Sequence, residues 1–406
     1  MKILLFTQYF PPETGACANR MHLFAKGLAK RGMEIVVISG LPNYPQGKIS
    51  TEYRFRLFKK EKIDGVDIMR VWVFPSARRT ILGRAINYLS YLISASIGSI
   101  FIRNVDLIIA TTPPVFVVLV GVLNKFLRRR PLVVDVRDVI EEASKIFPHL
   151  GLFSGLMFAL ERFLFKRADR LITVTEGLQK FLSRLLEERN RVELVENSFD
   201  IELLNGITQP VDRDLVGWQG KFVVTYAGNI GYLNGIESLI EVARLAKDEP
   251  DLLFVIIGDG VAKPRLVRQT KDLHNVRFLD TLPRKELLRY LMASDICMVT
   301  LADAPFMDSA FPTKLLEPLA LEKPVVAAFP HSLVTRFGSD PPFELVPIDN
   351  PGACLSAILR LKSDPQRMEE LVKRGKSLVK ERFSSAPRVE KLYSIVSELG
   401  RMRKRG

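Results

Sequence analysis

The 406-residue chain reads as an α/β protein of two doubly wound domains, each a largely parallel sheet covered by helices. Three observations predict this. Short β-branched runs alternate with longer helical stretches almost from end to end. The alternation breaks once near the middle and then restarts. A hydrophobic content of 47% supplies a core for both halves.

In the first half, strands are expected at residues 3–7, 35–39, 66–71, 107–110, 132–135, 171–174 and 192–195. Between the first two, residues 16–31 carry Met21, Phe24, Ala25 and Leu28 at helical spacing, with Gly32 as a stop. Pro210, Gly217 and Gly220 then interrupt the periodicity, which places a linker at 205–220 between a first domain, 1–204, and a second, 221–386. In the second domain, strands are expected at 222–227, 253–257, 276–279, 296–300 and 325–328, and helices at 236–247, 285–293 and 313–321. A last helix within 387–406 is expected to cross back to the first domain.

Composition removes several classes. There is no internal repeat, and Cys17, Cys297 and Cys354 are odd in number, far apart and outside any CxxC, which argues against a disulfide framework or zinc site and for a reducing cytosol. The opening MKILLFTQYF leads into Pro-Pro rather than a small-residue cleavage site, so it reads as a strand and not a signal peptide. The net charge of +14 is uneven: residues 1–200 hold 30 Lys and Arg against 19 Asp and Glu, residues 201–406 hold 29 against 26, and the tail adds Arg401, Arg403, Lys404 and Arg405. A basic first half fits nucleic acid, anionic lipid or a phosphorylated substrate. Residues 85–102 carry no charge but include Asn87, Ser90, Ser94, Ser96 and Ser99, a poor lipid-spanning set. With Arg78, Arg79 and Arg84 before it and Arg103 after it, the stretch reads either as an interfacial amphipathic helix or as a buried crossover helix.

Paired doubly wound domains hold ligands at the carboxyl ends of their strands, so a cleft between the two is the expected site. Gly15 follows the first strand and opens a helix whose free amides favour an anion. The second domain has Gly228-Asn229-Ile230-Gly231 and Gly258-Asp259-Gly260 after its first two strands. Neither is GxGxxG, and there is no P-loop, GxSxG or HExxH, which disfavours nicotinamide enzymes, P-loop ATPases, triad hydrolases and zinc proteases. The densest constellation runs from Asp308 to Pro324. Thr313 is expected to cap a helix whose first turns carry Lys314 and Glu317, a cation for phosphate and a carboxylate for ribose hydroxyls. The alternative is a capping box in which Glu317 bonds only its own helix start.

These segments, with Tyr9-Phe-Pro-Pro-Glu-Thr-Gly15, Leu41-Pro-Asn-Tyr-Pro-Gln-Gly47, Asp135-Val-Arg-Asp138, Asn197-Ser-Phe-Asp200 and Pro312-Thr-Lys-Leu-Leu-Glu317, resemble the family 4 retaining glycosyltransferases. Within that family the chain resembles the bacterial enzymes of surface-polysaccharide assembly, including fucosamine-transferase-like proteins. The resemblance implies the GT-B fold, two Rossmann-like domains across a cleft, a nucleotide-sugar donor, no cofactor and no metal. It further implies an acceptor saccharide on a polyprenyl diphosphate and a cytoplasmic enzyme peripheral on the inner membrane face, with no nucleic-acid partner.

Carried onto this chain, the resemblance gives catalytic roles to Glu317, Lys314 and Asp138. It places donor binding at Gly15, Gly228, Asn229, Gly231, Gly258 and Gly260. Two departures follow. The family's first glutamate, eight positions before Glu317, is here Ser309, with Asp308 beside it as a substitute. The family's basic pair appears as Asn229 and Asn234, which shifts diphosphate neutralisation to Lys314, Lys263 and Arg265. No metal is needed if those cations and helix N-termini stabilise the departing diphosphate; the only Asp-x-Asp, Asp212 and Asp214, falls in the expected linker. A nucleotide-sugar epimerase of the same fold is the nearest rival, with Glu13, Asp138, Glu141 and Glu142 as acid–base candidates. A non-enzymatic membrane or nucleic-acid binder leaves the glycine loops and Lys314 with Glu317 unexplained.

Overall fold

Ile3, Leu4, Leu5 and Phe6 are all fully buried, a run apolar on both faces that only a central parallel strand uses. The computed structural model describes the chain except residues 45–46, 77–80, 140–150, 188–190, 208, 303–311, 331–332, 335–336, 338–339 and 406. The chain forms two compact units, Met1–Asn197 with Ala386–Gly406, and Ser198–Ser385.

The first unit holds β1 (Lys2–Phe6), β2 (Glu34–Gly40), β3 (Phe58–Ile63), β4 (Val66–Val71), β5 (Leu107–Thr112), β6 (Leu132–Val136), β7 (Arg170–Thr173) and β8 (Val192–Leu194). Their order is β3-β4-β2-β1-β5-β6-β7-β8, and β3 is antiparallel to β4. Side chains alternate across the sheet. Leu4 and Phe6 pack with Val117 and Val118 of helix Val115–Arg128 and with Tyr91 and Ala95 of helix Ile81–Ile100. On the other face, Ile3 and Leu5 meet Phe24 of helix Ala16–Ala29 and Leu392, Ile395 and Val396 of the C-terminal helix Ser385–Arg405. Arg20 is 5% exposed and Asp135 is fully buried; Nη2 of the arginine lies 2.8 Å from the carboxylate and 2.7 Å from the Val195 carbonyl. This buried pair ties helix Ala16–Ala29 to the end of the unit, and losing one partner costs roughly 3–5 kcal/mol.

The second unit holds β9 (Phe222–Ala227), β10 (Leu252–Ile257), β11 (Val276–Leu279), β12 (Ile296–Thr300), β13 (Val325–Ala328) and β14 (Glu344–Val346), in the all-parallel order β11-β10-β9-β12-β13-β14. The segment 205–220, expected as a linker, belongs to this unit: Trp218 is 1% exposed and packs on Val223, Leu253 and Val255. The unit begins earlier, where the Phe199 amide donates to the Phe383 carbonyl at 2.9 Å.

Helix Ile81–Ile100 reverses the usual amphipathic arrangement. Its inner face is small or polar, Asn87, Tyr91, Ala95 and Ser99. Its outer face exposes Leu82, Ile86, Leu89, Ile93, Ile97 and Ile100. Among the described residues no helix is long and apolar enough to cross a membrane.

Candidate active site

In both sheets the strand order reverses beside the first strand of the unit: β1 lies between β2 and β5, and β9 between β10 and β12. Ligands of open α/β sheets collect at the carboxyl ends of the strands at such points.

In the second unit, Ala227 pairs with Ile257, so Gly228 and Gly258 leave the sheet side by side. A Cβ on Gly258 would stand 1.9 Å from the Gly228 carbonyl oxygen, and one on Gly260 2.1 Å from that of Ile230. The two turns therefore lie backbone against backbone, which only glycine permits. Gly228 faces Lys314 instead: at φ +150°, a Cβ there would come 2.7 Å from Lys314 Cε. Lys314 Nζ donates to the Tyr226 hydroxyl at 2.6 Å and to Asn234 Oδ1. It also lies 4.9 Å from the Tyr226 ring centroid. The Tyr226 hydroxyl in turn donates to the Asn229 carbonyl at 2.9 Å, and the side chains of Asn229 and Asn234 flank Gly231. Among the described residues no carboxylate forms an ion pair with Lys314. Loss of water lowers its pKa from 10.5 to about 7.

Glu317 is not bonded to its own helix start. Its Oε1 lies 2.8 Å from Nη2 of Arg284, at the first position of helix Arg284–Ala293. The Thr313 cap is absent as well: Thr313–Leu315 is a 3-10 turn entered from Pro312, and helix Leu316–Ala320 follows with no side-chain cap. Pro312, at φ −74° and ψ 76°, sets up a tight turn rather than a capped α-helix start. Lys263 is consumed by its own turn, donating to the Gly258 and Leu279 carbonyls at 2.9 Å each and to Asp280 at 2.6 Å. Arg265 pairs with Glu237 and lies 5.9 Å from the Tyr232 ring centroid. Asp308 and Ser309 lie outside the described residues, as do Arg78, Arg79, Glu141 and Glu142.

In the first unit, Gly15 takes φ 136° and ψ 163° as N-cap of helix Ala16–Ala29. Just before it, Glu13 is 5% exposed. Its Oε1 accepts from the amides of Asn43 at 3.0 Å and Tyr44 at 2.9 Å, and its Oε2 from the Phe10 amide at 3.3 Å. Burial raises its carboxyl from 4.5 to about 7, although these three amides and Arg70 favour the charged form. Tyr9 and Tyr44 sit beside it with ring centroids 5.2 Å apart. Asp138 follows β6; its carboxylate accepts from the Val139 amide at 2.9 Å, and desolvation raises its pKa.

Sequence reasoning assigns no role to three residues here. Tyr226 lies inside a strand and reads as core. Arg284 belongs to no motif, and its partner is distant in sequence. Tyr44 gains its meaning from Glu13, a carboxylate whose burial no local pattern announces.

The glycosyl transferase 4-like domain family matches residues 15–198, and the glycosyl transferases group 1 family matches residues 210–378. Among curated relatives, the colanic acid biosynthesis glycosyl transferase WcaI of Escherichia coli K12 is 26% identical, over 79% of this chain and 81% of its own. The glycosyltransferase WbjE of Pseudomonas aeruginosa is 24% identical, over 63% of this chain and 65% of its own. Among solved structures, Anabaena HepE in complex with UDP and glucose superposes with a TM-score of 0.72 at 20% identity, covering 98% of this chain and all of that one. With two glycosyltransferase families following one another along it and the matching fold in both units, the chain belongs to the family 4 glycosyltransferases of the GT-B fold and is a sugar-transferring enzyme.

Proposed function

We propose that the enzyme transfers a glycosyl group from a nucleoside-diphosphate sugar to a lipid-linked saccharide in the assembly of a cell-surface polysaccharide, with retention of configuration and without metal or cofactor. The polysaccharide role is supported by the colanic acid relative, and the donor class by the UDP and glucose bound to HepE. Retention and the polyprenyl diphosphate carrier rest on the family resemblance.

The observation that carries the reading is the Lys314 ammonium beside Gly228, held by the neutral oxygens of Tyr226 and Asn234. A cation so placed is desolvated and lacks a carboxylate partner among the described residues. A diphosphate at the Gly228 turn supplies the missing negative charge, and that charge grows as the glycosidic bond breaks, so Lys314 favours the departing group more than the bound donor. Glu317, oriented by Arg284, is the acceptor for the ribose hydroxyls.

A membrane-surface location is supported by the first unit. Leu82 is 70% exposed, Ile93 61% and Ile100 69%, all on one face of helix Ile81–Ile100. Phe101, Leu57, Phe126 and Leu127 are also exposed, with Phe101 edge-to-face against Phe58 at a centroid distance of 6.4 Å. Arg54, Arg56, Arg84, Arg103 and Arg129 are exposed on the same unit. An apolar face accompanied by cations fits an anionic bilayer surface.

The test incubates the protein with a panel of labelled nucleotide sugars, with and without a lipid extract of the producing cells. Label in the lipid fraction, surviving EDTA and with the donor's anomeric configuration in the product, is expected. An epimerised nucleotide sugar formed without lipid overturns the reading, and loss in EDTA restored by manganese overturns its metal-independent part.

A further inference from the structure

Tyr44 is 42% exposed, yet its backbone amide is fixed by the buried carboxylate of Glu13. An aromatic residue that stays partly exposed on an anchored loop loses little conformational freedom on meeting a ligand, the arrangement expected of a contact surface prepared for one. The ring lies beside Gly15, where a Cβ would come 3.9 Å from Tyr44 Cε1. Gly15 and Ala16 are both exposed, so the described residues beside this edge of the ring are small and accessible to solvent. Tyr9 packs on Tyr44 with the ring planes tilted at 52°.

The same loops are tied to helix Ile81–Ile100. Gln8 donates to Asn87 Oδ1, and Asn87 Nδ2 reaches Asn43 Oδ1 at 3.4 Å and the Phe74 carbonyl at 2.6 Å. Asn87 sits on the inner face of the helix whose outer face carries the exposed Leu82, Ile86 and Leu89. One helix therefore joins the tyrosine pair to the apolar stripe.

We propose that Tyr44, with Tyr9, Gly15 and Ala16, is a stacking subsite for a pyranose ring of the acceptor, and that Glu13 is the positioning residue that holds it. The apolar C–H face of a pyranose matches the face of a tyrosine ring, and the neighbouring Asn43 and Asn87 amides are neutral, which suits an uncharged sugar. The inference rests on the saccharide acceptor proposed above.

Two measurements test it, using wild type, Tyr44→Ala and Tyr44→Phe. The first titrates the lipid extract as acceptor at saturating labelled donor. Tyr44→Ala is expected to raise the half-saturating extract concentration at least tenfold with donor KM unchanged, and Tyr44→Phe to stay within twofold. The second is saturation-transfer NMR with octyl β-D-glucoside, octyl β-D-galactoside and octyl N-acetyl-β-D-glucosaminide. Transfer to ring C–H protons is expected from wild type and Tyr44→Phe and not from Tyr44→Ala. Glu13→Ala should reproduce Tyr44→Ala, and Glu13→Gln should recover part of the loss through its remaining carbonyl.

Unchanged acceptor saturation in Tyr44→Ala overturns the subsite and leaves the proposed function standing. So does an equal loss in Tyr44→Phe, which marks a hydroxyl contact instead of stacking, or an equal rise in donor KM. NMR contrast between wild type and Tyr44→Ala, without any transfer to lipid, supports the subsite and overturns the lipid-linked acceptor.

Discussion

Arg284 Nη2 stands 2.8 Å from Glu317 Oε1, and the two residues lie in the first turns of different helices on the same unit. The pair fixes one carboxylate oxygen and so orients the other. Glu317→Ala should lower kcat/KM at least tenfold, roughly 1.4 kcal/mol of transition-state stabilisation, with circular dichroism unchanged. Arg284→Ala removes the orientation and keeps the carboxylate, so donor KM should rise about three- to tenfold with a smaller change in kcat, and Arg284→Lys should recover part of it. Steady-state kinetics on the three variants checks this; wild-type donor KM in Arg284→Ala removes the pair from the donor site.

The proposed diphosphate contact of Lys314 predicts that donor binding depends on pH. Burial lowers its pKa from 10.5 to about 7, so near neutrality the free protein holds it partly protonated. A bound diphosphate favours the ammonium and raises that pKa. UDP-glucose binding above pH 7 should therefore take up a proton, and affinity should fall as pH rises from 7 to 9, by at most about tenfold per unit. Below pH 6 the ammonium is present with or without ligand, and the uptake vanishes. Calorimetry in buffers of different ionisation enthalpy reads the proton directly; Lys314→Met should abolish it. The sign for stability follows from the same group. Between pH 7 and 10.5 the unfolded chain binds the proton more readily than the folded one, so the Lys314 contribution makes the protein more stable as pH rises through that window.

Gly258 tests the backbone contact between the two turns. A Cβ at that position would stand 1.9 Å from the Gly228 carbonyl oxygen, and φ is +146°. Gly258→Ala must move one turn away from the other, and it should cost at least about 3 kcal/mol with loss of soluble yield. Gly217→Ala is the control: its φ is +69°, but nothing lies within 4 Å, so only about 1 kcal/mol of backbone strain is expected. Urea melts of both variants decide whether contact or backbone angle requires the glycine.

Legibility in the sequence followed burial. The apolar runs of β1, β5, β9, β10 and β12 announce central strands, because a strand covered on both faces has no room for charge. β3, Phe-Lys-Lys-Glu-Lys-Ile, is absent from the expected strands: it is an antiparallel edge strand with one face in water, and its lysines leave no apolar run. Helix Ala16–Ala29 is legible because Gly32 at φ +79° ends the turn after it. At the site, Lys314 and Glu317 are visible through a local motif. Arg284, Tyr226 and the Glu13 clasp on Tyr44 are not, since each acquires its role from a partner that only the fold brings near. Lys263 shows the reverse: its charge suggests a phosphate contact, but two carbonyls and Asp280 hold it.

The membrane face gives the last prediction, in which apolar contact and charge are separable by magnitude. Leu82, Ile93 and Ile100 are each more than half exposed, and burying such a side chain in a bilayer interface contributes roughly 1–2 kcal/mol. Each exposed arginine near anionic lipid contributes about 1 kcal/mol, and salt screens that share. Three apolar residues thus outweigh Arg84 and Arg103 together, and the protein should pellet with phosphatidylglycerol vesicles at low salt and be only partly released by high salt. Arg84→Glu with Arg103→Glu should weaken pelleting mainly at low salt. The triple change Leu82→Asp, Ile93→Asp and Ile100→Asp should abolish it at any salt while binding of a UDP-glucose probe at the proposed donor site of Lys314 and Glu317 stays at the wild-type value. If the triple variant pellets fully, or the wild type ignores the vesicles, the stripe does not face lipid. A wild type that elutes as a dimer in gel filtration and becomes a monomer with the triple change would assign the stripe to a second copy of the chain.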